Sequence, residues 1–79
     1  MNKQQILEKV TDILFDIFDD DDLHITSETT AKDIDGWDSL AHISILAAIC
    51  DTFHISFSID DVHNMKNVGD MVDVIDRLL

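Results

Sequence analysis

The chain has 79 residues and a formal net charge of −12, with 17 acidic side chains against five lysines and arginines. Such acidity makes nucleic acid and anionic membrane surfaces poor partners and basic protein surfaces good ones. Cys50 alone excludes a disulfide framework, no apolar run is long enough for membrane insertion, and the polar start Met1 to Gln5 is no signal peptide, so the expected compartment is a reducing cytoplasm.

In chain order, the first helix is expected from about Lys3 to Phe18. Ile6, Leu7, Val10, Ile13, Leu14, Ile17 and Phe18 form one stripe, with Glu8, Asp12 and Asp16 off it and Phe15 on its flank. The run Asp19-Asp20-Asp21-Asp22 should end that helix, because carboxylates crowd its negative end. Leu23 to Asp38 then reads as a long loop anchored by Leu23, Ile25 and Ile34. A loop of that length in a small domain is uncommon and is often functional. A second helix follows from Ser39 to about Thr52. Leu40, Ile43, Leu46, Ala47, Cys50 and Phe53 recur at three- and four-residue steps, so that face is expected to be buried.

Phe53, Ile55, Phe57 and Ile59 alternate with polar residues in the period of a strand. No second strand is available to pair with it, so an extended connector is the better reading. A short third helix should start near Ile59, capped by Ser58 with Asp61 three residues on, and turn Ile59, Val62 and Met65 inward. The last helix opens at Asn67, with Asp70 three residues on, and should bury Val68, Met71, Val72, Ile75, Leu78 and Leu79. These elements make an all-α fold, a small four-helix bundle with a long loop between helices one and two.

The chemistry concentrates at Gly36-Trp37-Asp38-Ser39-Leu40-Ala41-His42-Ile43. Asp38 and Ser39 are both good N-cap residues, and Gly36 lets the chain turn just before them. Ser39 therefore sits at the positive end of a helix dipole, where a phosphate-linked group is electrostatically welcome. A plain helix cap is the competing reading of the same serine. Trp37 is either a hydrophobic plug holding the loop to helix two or an exposed partner contact, and the two roles are compatible.

In the order and spacing of these elements the chain resembles the acyl carrier protein family, over residues Ile6 to Leu79, with Gly36 to Ile43 as the specific core. The resemblance implies that Ser39 carries a covalent 4′-phosphopantetheine, and that residues 1–79 form a single carrier domain. It implies a protein that catalyses nothing, whose prosthetic thiol holds acyl or aminoacyl groups as thioesters. Its implied partners are a magnesium-dependent phosphopantetheinyl transferase and the enzymes that load and transfer the acyl or aminoacyl group. Trp37, Asp38, Leu40, His42 and Ile43 would form the partner-recognition surface around Ser39, and the apolar interior could shelter a bound acyl chain. With its own Met1 and no linker-like tail, the chain reads as a freestanding protein, an excised domain given an artificial start being the alternative, and a monomer is expected.

One departure from the family pattern stands out. Fatty-acid carriers have an acidic second helix, whereas Ala41 to Cys50 here contains no acid before Asp51. This directs the expectation toward a specialised pathway: polyketide, nonribosomal peptide or surface-sugar acylation. An acidic helical adaptor without a prosthetic group is the alternative from another class.

Other chemistries fit less well. Setting Gly36 at the sixth position of a calcium loop puts Ala31 first and His42 twelfth, so both key carboxylates are missing. Contiguous carboxylates in the aspartate run are not expected to converge on one ion. His24, His42, His54 and His63 lack zinc-ligand spacing, so no metal site is expected. A serine–histidine–acid arrangement has no enclosed cleft to work in. Cys50, on the expected buried stripe, reads as a small core residue.

Overall fold

The computed structural model describes residues 1–79 and is helical, without strands. Its elements are α1 (Lys3–Phe18), α2 (Ser39–Phe53), α3 (Ile59–His63) and α4 (Val68–Leu78), with a 3-10 turn at Ala31–Asp33 inside the long α1–α2 loop. The four-helix architecture and the long loop are those expected.

The helices begin where short polar side chains can satisfy their first amides. Before α1, Asn2 Oδ1 accepts from Gln5 N (2.9 Å) while Gln5 Oε1 accepts from Asn2 N (3.0 Å). Ser58 and Asp61 exchange the same two bonds at α3, each 3.0 Å, as the sequence predicts. Asn67 Oδ1 accepts from Asp70 N at 2.8 Å to open α4. At the other ends, α1 stops on Asp19 (φ 51°) and α2 on His54 (φ 56°), both left-handed caps filled without glycine. The carboxylate run after Phe18 thus does coincide with the end of α1.

Helix α1 packs against α2 and α4. The core joins Ile6, Val10 and Leu14 of α1 to Ile45, Ile49 and Phe53 of α2. Val68, Met71, Val72, Val74 and Ile75 of α4 complete it with Met65 from the α3–α4 connector. Ile55 and Phe57 pack against it from a connector that is neither helix nor strand, and Phe15 is half-exposed on the flank of α1.

Three expectations about the core are corrected. In α2 the buried residues are Ile45, Ile49 and Phe53, whereas Leu40 is 74% and Ile43 64% exposed and Ala47 is exposed. The buried stripe is therefore rotated about the helix axis relative to the expected one, and Cys50 is only half-buried. The physical reason is that α2 is apolar nearly all round, so two different stripes satisfy the same three- and four-residue steps. Ile59 is 77% exposed, because it is the first residue of a five-residue helix that turns only Val62 toward the core. Leu79 is 56% exposed, beyond the end of α4.

The long loop is tied both to the core and to the start of α4. Ile34 is buried and Ile25 packs on the core, while Leu23 is half-buried. Thr29, unforeseen as an anchor, is buried, and its Oγ1 accepts from Thr26 N at 2.9 Å. The carbonyls of Thr29 and Ser27 accept from Val68 N (2.9 Å) and Gly69 N (2.7 Å). Two first-turn donors of α4 are thereby satisfied by the loop rather than by water. The approach is close enough that a Cβ at position 69 would lie 2.8 Å from the Ser27 oxygen, so glycine is required there.

Candidate functional site

The chain reaches Ser39 through a sharp turn. Gly36 adopts φ +88°, a conformation side chains oppose, and Asp38 N donates to Gly36 O at 3.0 Å. Asp38, not Ser39, is the N-cap: its Oδ1 accepts from Ala41 N at 2.8 Å and its carbonyl accepts from His42 N at 2.9 Å. Ser39 is the first residue of α2 and is exposed, so its hydroxyl is not needed for capping. The amides of Ser39 and Leu40 open the helix with no partner inside it, at the positive end of the dipole.

Trp37 combines the two roles considered for it. It is half-buried, packs on the core, and meets Phe18 with ring centroids 5.9 Å apart. It also faces a shallow surface groove of about 480 Å³ lined by Ala31, Trp37, Asp38, Ser39, His42 and Ile43. Its indole Nε1–H donates to His42 Nδ1 at 3.1 Å, and the two rings stack at 30° with centroids 6.1 Å apart. The structure thus gathers Trp37, Asp38, Ser39, His42 and Ile43 around one groove, with Leu40 exposed beside them.

Sequence reasoning missed two parts of this site. The Trp37–His42 bond spans the loop–helix junction, where no helical period applies. The 3-10 turn had a readable signal in Thr30-Ala31-Lys32-Asp33: the Asp33 carboxylate accepts from Thr30 N at 2.9 Å, which braces the groove wall at Ala31. Away from the groove the aspartate run is exposed, and carboxylate oxygens of Asp20, Asp21 and Asp22, though not of all four aspartates, lie within 4.8 Å of one another. A tight turn after the left-handed cap brings these exposed side chains round to one side. An interior shelter for an acyl chain is not present as an enclosed cavity. Besides the groove there is one other hollow, of about 230 Å³, between the first turns of α1 and α4 near Ser27, and it too opens at the surface.

The exposed Ser39 hydroxyl thus lies on an open surface groove of a helical protein, outside any enclosing cleft. Residues 4–75 match the family of phosphopantetheine attachment sites. Acyl carrier proteins of Exiguobacterium sibiricum and of a second Exiguobacterium strain are each 33% identical to the chain, over 96% and 100% of both partners' lengths. The solution structure of the holo acyl carrier protein of Geobacter metallireducens superposes with a TM-score of 0.86 at 39% identity, covering 91% of this chain and 83% of that one. The chain belongs to the phosphopantetheine-binding acyl carrier protein family. It is a non-catalytic carrier with a 4′-phosphopantetheine prosthetic group, and it serves biosynthetic enzymes; the adaptor reading without a prosthetic group gives way to this membership. No helix is long and apolar enough to cross a membrane.

The groove residues fit such a group. An exposed hydroxyl and an imidazole on the groove, with the two open amides of the first turn of α2 beside them, can accommodate a phosphodiester, while the Trp37 and Ile43 side chains offer apolar contact to the arm.

Proposed function

We propose that Ser39 is the attachment point of the 4′-phosphopantetheine, and that residues 1–79 act as one carrier domain for a specialised biosynthetic pathway. The observation that carries the assignment is the exposed Ser39 hydroxyl at the first position of α2, left free because Asp38 provides the cap. In this reading a phosphopantetheinyl transferase joins the Ser39 oxygen to the phosphopantetheine phosphorus of coenzyme A. The serine proton is lost and the nucleotide portion leaves. When bound, the group supplies a thiol that holds an acyl or aminoacyl cargo as a thioester. The domain orients the anchor and keeps the tethered cargo at high effective concentration near each partner active site.

Trp37, Asp38, Leu40, His42 and Ile43 form the recognition surface for the transferase and for the enzymes that load and unload the cargo. Its character supports the specialised assignment: the exposed side of α2 carries Leu40, Ile43 and Ala47 where an acidic face would suit a strongly basic partner. Partners for this surface present an apolar patch beside their basic residues. The protein works as a cytoplasmic monomer.

The test is an intact-mass measurement. Unmodified wild type and Ser39→Ala are incubated with coenzyme A, magnesium and a promiscuous phosphopantetheinyl transferase. Wild type should gain one phosphopantetheine while Ser39→Ala, equally helical, gains none. Modification of the alanine variant would assign the group elsewhere.

A further inference from the structure

The bond between Trp37 and His42 fixes more than a ring position. An indole N–H donates and never accepts, so the Nδ1 it reaches at 3.1 Å must offer a lone pair. A neutral imidazole then has its proton on Nε2 and is a donor there. Trp37 is itself immobilised, half-buried against Phe18 and the core, so the tautomer is set from the interior of the protein. The two rings lie side by side, centroids 6.1 Å apart and planes at 30°, as that bond requires.

His42 stands three residues after Ser39, which puts the two on neighbouring positions of one helix face, and both line the same groove. A phosphodiester on the Ser39 oxygen has only acceptors to offer. Asp38, also on the groove, has only acceptors when ionised and is already engaged with Ala41 N. Among the side chains of this groove, the donor left for the phosphodiester is the His42 Nε2–H. The indole N–H is occupied by Nδ1.

We propose that Trp37 is a positioning residue which holds His42 as the Nε2–H tautomer, and that His42 donates from Nε2 to the phosphodiester linking Ser39 to its prosthetic group. This deepens, and rests on, the assignment of Ser39 as the attachment point. His42 thereby restricts the first bonds of the arm and leaves the rest of it free to swing.

The experiment is nuclear magnetic resonance on the full chain at neutral pH, before and after loading. In the unloaded protein, long-range proton–nitrogen correlations of His42 should show an unprotonated Nδ1 and a protonated Nε2, with the Trp37 indole proton shifted by its bond. Trp37→Phe should lose this ordering and leave the imidazole exchanging between tautomers. That arm does not depend on Ser39 being modified. In the loaded protein, the His42 Nε2 proton should slow its exchange with water, and the phosphorus resonance should move in both Trp37→Phe and His42→Ala. His42→Gln, whose amide can donate from a similar reach, should restore the phosphorus resonance toward wild type. A protonated Nδ1 in the unloaded wild type would overturn the tautomer assignment. A phosphorus resonance indifferent to His42 would overturn the contact. Failure of wild type to load at all would instead strike the Ser39 assignment, with the unloaded arm still standing.

Discussion

Asp61 binds two helices together with one carboxylate. It accepts from Ser58 N at 3.0 Å to cap α3 and pairs with Arg77 near the end of α4. The Ser58 amide, with smaller help from the Ser58 hydroxyl and the Arg77 guanidinium and some opposition from desolvation, holds the Asp61 carboxyl below the usual carboxylate range. A carboxyl depressed in the folded state contributes stability that is present above its unfolded value and lost as pH falls through the depressed one. Asp61→Asn should therefore be less stable than wild type at neutral pH, with the gap closing in acid. Urea denaturation of both proteins across that pH series checks it, and a gap independent of pH would contradict it. Lys3 pairs with Asp73 at 2.9 Å, which raises the lysine above its ordinary value. Both side chains are well exposed, so that pair should add little.

Helix α2 separates a structural face from a presenting face. Ile45 and Ile49 are fully buried, while Leu40 and Ile43 stand in solvent around Ser39. Ile49→Ala removes atoms from a packed core and should cost about 2–4 kcal/mol. Ile43→Ala removes a surface side chain and should stay within about 0.5 kcal/mol. Denaturant midpoints of the two variants, with matching slopes, distinguish this register from the rotated one, in which the order is reversed. The same helix marks the limit of what the residues alone reveal. Helix starts were legible because Ser58, Asn67 and Asp38 are short acceptors with a local task. The stripes of α1 and α4 were legible because charged residues mark their outer faces. In α2 the outer face is also apolar, so burial is decided by packing against α1, which no local pattern contains. The serine turn could be read from Gly36 to Ile43, but the bond from Trp37 to His42 could not. It joins a loop residue to a helix residue across a corner whose shape depends on the whole loop.

At the scale of the molecule, charge is the dominant tension. Against a net charge of −12 the fold offers two ion pairs, Lys3–Asp73 and Arg77–Asp61. The remaining carboxylates lie mostly on the surface of a body only 28 × 24 × 21 Å in extent, where self-repulsion opposes compaction. Salt screens exposed charges over roughly 10 Å at 0.1 M. The melting temperature should accordingly rise by several degrees from low salt to physiological salt, read by circular dichroism. A melting temperature flat in salt would mean that repulsion costs this fold nothing. Divalent cations should act in the same direction through the field as a whole.

The two bonds from the start of α4 to the loop have a consequence in time. Val68 N and Gly69 N are covered by carbonyls of Thr29 and Ser27, whereas the amides farther along α4 are covered by their own helix. If the loop lifts and α4 stays wound, those two hydrogens alone become free to leave for solvent. Deuterium uptake at Val68 and Gly69, set against uptake deeper in α4, would therefore count the openings of the segment that leads into the serine turn. The carrier holds its own stopwatch for that motion, at a place remote from the group it presents.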